Sequence, residues 1–116
     1  IVSSDGVIFD SETGLEWLVG PDKDSNYAQA SQWVASCKTA GGGWRMPTVN
    51  ELYALYQKGI GERNMDPVFK TSGKDVWAEP LDSWSARYFD FGYGGNSSCS
   101  RDAKMDMRGF AVRTRR

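Results

Sequence analysis

Histidine is absent from this chain of 116 residues. The commonest general base and the commonest metal ligand are therefore missing, and a Ser-His-Asp or Cys-His catalytic site is excluded outright. Only two cysteines occur, so carboxylates would have to complete any zinc site. No apolar run approaches the roughly 18 residues needed to cross a membrane as a helix. Neither sign of charge dominates: 14 Lys and Arg stand against 15 Asp and Glu, a net charge of −1. That balance argues against general nucleic-acid binding, which requires a strongly basic face. A phosphate-binding glycine loop is also lacking, because Gly41-Gly42-Gly43 runs into Trp44 without the Lys-Ser/Thr ending. Nothing singles out two of the 15 acidic residues as a catalytic pair, and the chain is not expected to be an enzyme. There is no internal repeat and no signal-peptide pattern. A chain starting at Ile1 is expected to be a processed or excised piece.

What the chain does have is rings and glycines: five Trp, five Tyr, five Phe and 13 Gly. At this length residues 1–116 are expected to form one domain with one modest core. Large aromatic side chains would build that core. Residues 7–10 and 15–18 read as short strands around a turn in which Gly14 supplies a positive φ. Asn26 or Ser25 is placed to cap a helix over 27–39, where Ala30, Trp33, Val34 and Cys37 form one apolar stripe. Thr48 and Glu51 stand in capping-box spacing at the head of a second helix, 49 to about 58, with Leu52, Leu55 and Tyr56 on one face. Residues 59–74 read as a long loop, and 75–78, 87–91 and 109–115 as strands. In the last strand Phe110, Val112 and Thr114 alternate with Ala111, Arg113 and Arg115, which predicts an inward face and a basic face. Residues 101–116 hold six basic side chains against two acidic ones, a local excess that would favour an anionic ligand. The order predicts an α+β domain, two helices on a small antiparallel sheet with long loops.

Gly43-Trp44-Arg45-Met46-Pro47-Thr48, followed by Glu51-Leu52, resembles the GWRLPT..EL signature of the Lcl C-terminal domain family, named for a bacterial collagen-like surface adhesin. Other stretches are similar to the family in order along the chain: Thr13-Gly14-Leu15-Glu16-Trp17, residues 30–37, Asp66-Pro67-Val68-Phe69, Val76-Trp77, Phe89-Asp90-Phe91 with Gly94, and Val112-Arg113-Thr114-Arg115. The resemblance implies a C-type-lectin-like fold, a secreted or surface-displayed setting, and adhesion, including binding of sulfated glycosaminoglycans. In a secreted domain, Cys37 and Cys99 would be bridged. The family pattern pairs Cys37 with a cysteine where Thr114 stands, so Cys99 would be a substitute partner. The alternative is two thiols, Cys37 being a small buried apolar group.

Asp22-Lys23-Asp24-Ser25-Asn26 opens like a calcium loop, but Tyr27 and Trp33 occupy the places where an EF-hand needs Gly and Glu. Glu79-Pro80-Leu81-Asp82 resembles the Glu-Pro-Asn motif of C-type lectins, with Leu81 in place of the Asn. No metal ligands are assigned and no cofactor is expected, calcium being the one left open. Trp17, Trp33, Trp44 and Trp77 lie in motifs or apolar stripes and read as core. Trp84 sits between Ser83 and Ser85, and Tyr93 among glycines. Rings on such loops offer contact area at low entropic cost. Asp82, Trp84, Arg87, Tyr93, Asn96, Arg101 and Lys104 are therefore the candidate ligand site, in the 82–104 region beside the basic last strand. The expected role is non-catalytic extracellular recognition or adhesion, with a glycan or surface protein as ligand and neither nucleic acid nor membrane insertion. A filament tip or homotrimer cap, or a hypervariable protein-recognition domain, are the alternatives.

Overall fold

The computed structural model describes residues 6–61, 64–103 and 105–114. Among these described residues there are seven strands and two α-helices: β1 Ile8–Asp10, β2 Leu15–Val19, α1 Tyr27–Ser36, α2 Val49–Leu55, β3 Asp75–Pro80, β4 Ser85–Asp90, β5 Gly95–Ser100, β6 Met107–Arg108 and β7 Phe110–Thr114. They form two sheets, β1-β2-β7 and β5-β4-β3-β6. The α+β class expected from sequence is the one observed, with one difference. A single antiparallel sheet was expected; the second sheet is separate and mixed, because β6 runs parallel to β3.

Local chemistry explains most elements. Asp10 closes the β1–β2 turn, accepting at Oδ1 from the Glu12 N–H (3.0 Å), with Gly14 at φ 75°. Asn26 caps α1, taking the Gln29 N–H (2.8 Å) while Gln29 Oε1 takes the Asn26 N–H (3.0 Å). Thr48 and Glu51 make the same reciprocal pair at α2. Both helices stop short of their sequence-expected ends. At Cys37 and Tyr56 the backbone turns extended (ψ 120° and 124°). A separate 3-10 turn, Thr39–Gly41, follows α1, and the Trp44 indole N–H donates to its Thr39 carbonyl (2.9 Å).

The GWR motif is a fastener. Arg45 exchanges two backbone hydrogen bonds with Val112 of β7, both 3.0 Å. Its guanidinium grips both Glu51 oxygens (2.8 and 2.6 Å), and Glu51 in turn caps α2. One motif thus joins the first sheet to α2.

The main core lies between the sheets and under α2, where Trp17, Leu52, Phe69, Val76, Phe89, Phe91, Phe110 and Val112 are buried. Trp17 meets the edges of Phe69 and Phe110 at 6.2 and 6.3 Å. A second cluster, Leu18, Val34, Trp44 and Ala111, forms where α1 covers the other face of the first sheet. A third, Tyr27, Ala30, Trp77, Ala86 and Met107, joins the start of α1 to the second sheet. The first sheet is therefore covered on both faces. This overturns the expectation of a basic, outward face on β7. Arg113 is only 7% exposed, donating to Glu16 Oε1 (2.8 Å) and the Ala40 carbonyl (2.9 Å) with its guanidinium 4.3 Å over the Trp44 ring. Arg108 is 5% exposed and paired with Asp22 and Asp106.

The expected Cys37–Cys99 bridge is not formed; both are free, half-buried thiols. Cys37 packs in the Trp44 cluster at the end of α1, and Cys99 in the Tyr27–Trp77 cluster at its start. Burial pushes both thiols up from their ordinary range, Cys99 also through the nearby Asp75 charge, which disfavours the reactive thiolate.

Candidate functional site

Residues 85–100 form a β-hairpin: the strand expected over 87–91 is part of β4, and β5 follows where a loop was expected. β4 and β5 pair without interruption from Ser85 opposite Ser100 to Asp90 opposite Gly95. Each end of β4 carries one exposed ring held by the same device. At the β3–β4 turn, Asp82 Oδ1 accepts from the Trp84 N–H (2.8 Å), the Ser85 N–H (2.8 Å) and the Ser85 hydroxyl (2.9 Å). These donors hold the Asp82 carboxyl below its usual range. The Trp84 carbonyl accepts from the Arg101 N–H (3.0 Å), and the Arg101 side chain donates to the Ser85 and Asp82 carbonyls. Arg101 also lies over the Tyr27 ring at 5.1 Å. The Trp84 backbone is thus fixed on both sides, while its side chain is 83% exposed beside an exposed Leu81.

At the other end, Asp90 Oδ1 accepts from the Gly92 and Tyr93 N–H groups (2.8 and 3.1 Å), and Tyr93 is also 83% exposed. Gly94 has φ 88°, and a Cβ there would come 2.7 Å from the Tyr56 ring, so only glycine closes this turn. Trp84 and Tyr93 flank the six-residue strand β4, about 20 Å long at strand rise. The single aromatic patch expected from sequence is therefore split between the two ends of β4.

Arg87 lies between them. It shares a face with Phe89, two residues on, and with Ser98 and Asn96 on β5 opposite. Tyr53 of α2 packs its edge on Phe89 at 6.0 Å and stacks on Tyr56 at 6.4 Å, yet stays 61% exposed. Tyr53, Arg87, Asn96 and Ser98 make a polar strip along the hairpin. Sequence reasoning missed Tyr53; the available signal was a large ring just off the Leu52–Leu55 stripe. Of the seven candidate residues, Asp82, Trp84 and Arg101 meet at one end. Arg87 stands mid-strand, and Tyr93 and Asn96 belong to the other end. Lys104 lies outside the described residues. Of the basic neighbour expected beside it, Arg108 and Arg113 face inward into ion pairs, and Arg115 and Arg116 lie outside the described residues.

The calcium-like motifs are engaged in structure. Asp22 Oδ1 accepts from Arg108 Nε (2.8 Å) and from the Ser72 N–H (2.9 Å), Asp24 accepts from the Met107 N–H (2.9 Å), and Asn26 caps α1. Glu79 accepts from the Val49 N–H (2.8 Å) at the start of α2. Among the described residues, no group of three His, Cys, Asp or Glu side chains is placed to hold a metal ion.

One carboxylate stands apart. Asp75 Oδ1 is buried and finds no donor among the described residues. Burial, then Asp90 opposite, push the group from 3.8 up to about 6; Lys74 pulls back in part, and Asp106 adds a smaller push. The folded protein therefore holds this proton more tightly than the unfolded chain, and stability falls as pH rises between about 4 and 6. Asp75→Asn is expected to match the parent at pH 4 and to exceed it at pH 8 by about 1 kcal/mol, allowing for solvent screening. Urea unfolding at the two pH values checks this; equal stability at pH 8 would refute it.

No curated protein matches this chain. The family model of the Lcl C-terminal domain matches residues 6–113, nearly the whole sequence, including the fastener around Trp44, Arg45 and Glu51. The chain belongs to the Lcl C-terminal domain family.

Proposed function

We propose that this adhesin-type domain is a non-catalytic recognition module, displayed outside the cell, that binds carbohydrate through the β4–β5 hairpin. The observation that carries this reading is Trp84: an indole almost wholly in solvent on a backbone tied by Asp82 and Arg101. A protein gains no stability from such an exposed ring, whereas a ligand gains a flat apolar face on a backbone already ordered, with only two side-chain torsions left to fix. Hydrogen bonds come from Arg87, Asn96 and Ser98 along the strip. A lectin-like sheet with a binding edge suits this use, and the reading requires no cofactor. A nearly neutral chain with its two buried arginines already paired favours neutral over sulfated glycans.

The test is binding of the purified domain to an array of neutral and sulfated glycans, with calcium and with chelator. A selective hit is expected, weakened at least tenfold by Trp84→Ala, a loss of the size typical for a buried aromatic anchor. Stability of that variant should stay within about 0.5 kcal/mol of the parent. A blank array from a folded domain would sink the carbohydrate reading. β5 favours a second reading, assembly. It is a sheet edge of six residues, Gly-Asn-Ser-Ser-Cys-Ser, with no charge, proline or bulge to discourage pairing. A mass that rises with concentration would support it.

A further inference from the structure

A cleft of about 590 Å³ opens between the loop after β2 and the exposed side of α1, sharing no residue with the hairpin. That volume is in the range of small-molecule sites. Gly109 lines the cleft, and behind Gly109 the backbone is in close contact. The Gly20 N–H donates to the Gly109 carbonyl (2.9 Å), and a Cβ on Gly20 would sit 2.3 Å from that oxygen. Trp33 forms one wall, its ring 3.3 Å from the same point. Sequence periodicity assigns Trp33 to the core, but here it is half-buried, and its indole N–H has no partner among the described residues.

The polar groups around it have valences to offer. Gln29 Oε1 is fixed by the Asn26 N–H (3.0 Å), which orients the amide and leaves its Nε2 to donate. Gln32 is exposed, with no side-chain partner among the described residues. Asp24 uses Oδ1 on the Met107 N–H (2.9 Å) and keeps its second oxygen as an acceptor. Lys23 balances its charge, so the cleft is close to neutral. One indole wall, amides that both donate and accept, and a carboxylate oxygen match a compact polyol. The C–H face of such a ring lies on the indole while its hydroxyls exchange hydrogen bonds with the rim.

We propose that this cleft is a second ligand site that takes one neutral sugar ring. It stands or falls independently of the hairpin. The experiment is a titration of the 15N-labelled domain with neutral methyl glycosides of glucose, galactose, mannose and N-acetylglucosamine. The Trp33 indole cross-peak, assigned through Trp33→Phe, is the readout. A saturable shift is expected with at least one sugar. Gln32→Ala, a change on an exposed side chain, should weaken it about tenfold, the effect of one lost hydrogen bond. Trp84→Ala should leave it intact. Three results would overturn the proposal: no saturable shift with any sugar from a folded sample, a shift indifferent to Gln32→Ala, or a response to sulfated sugars alone. A shift lost in Trp84→Ala would assign the effect to the hairpin instead.

Discussion

Arg113→Ala should destabilise the domain by about 3–5 kcal/mol, the cost of breaking a buried ion pair from one side. The side chain reaches in three directions. Nε meets Glu16 on the neighbouring strand (2.8 Å), Nη1 meets the carbonyls of Ala40 and Gly42, and the guanidinium plane covers Trp44. The glycine run after α1 acquires its purpose here. Gly42 at φ 75° and Ala40 at φ 51° turn their carbonyls toward the cation. Without it, those oxygens lose the Arg113 donor, and Glu16, with a side chain 14% exposed, is left charged and nearly dry. Adding Glu16→Gln to Arg113→Ala should recover about 1 kcal/mol or more, because the orphaned charge goes. Urea unfolding of the two single variants and the double variant measures this. A loss under 1 kcal/mol would mean that Arg113 behaves as the solvated strand charge the alternation pattern suggests.

Arg108→Ala comes next, at about 3 kcal/mol. Its fork joins Asp22 (2.8 Å), Asp106 (2.9 Å) and Ser72 (3.3 Å), which fastens two long loops onto β6. Gly73 lies over the stem; a Cβ there would be 2.6 Å from Arg108 Cγ. The loss is smaller than at Arg113 because Asp22 and Asp106 keep contact with water, their side chains being 45% and 71% exposed. A pH signature separates charge from packing. The hydrogen bond from Arg108, then that from the Ser72 N–H, holds the Asp22 carboxyl far below its usual 3.8. This stabilisation is complete above about pH 4 and fades as pH falls further. The gap between parent and Arg108→Ala should therefore narrow in acid. A gap constant down to pH 2 would assign the whole effect to packing.

What could be read from sequence follows from range. The β1–β2 turn, the Asn26 cap and the Thr48–Glu51 box are settled by residues two or three apart. The inward arginines were not legible, because their partners lie 97 and 86 positions away. A strand that alternates apolar and basic looks half-solvated until α1 and Trp44 are seen to cover its other side. β5 was hidden for another reason: Gly-Asn-Ser-Ser-Cys-Ser has little strand propensity, and pairing with β4 forms it. For the site, the rings on polar loops were correctly singled out as exposed. The strand between them was expected over 87–91 and is seen as β4, yet the two rings were still grouped as one patch, because the strand's full extent from Ser85 is set by pairing with β5. The cleft beside Trp33 escaped because a ring on an apolar stripe reads as core.

The length of β4 has a consequence for valency. Under the proposed recognition role, two rings rooted at the ends of a strand about 20 Å long would act as a ruler for a ligand. A short ligand meets them as two weak, independent contacts. Once a chain is long enough to span the gap, its second contact becomes intramolecular, at an effective concentration that can raise avidity a hundredfold or more, on the order of 10²–10⁴. Affinity should then climb as a step with ligand length, and shortening β4 would move the step.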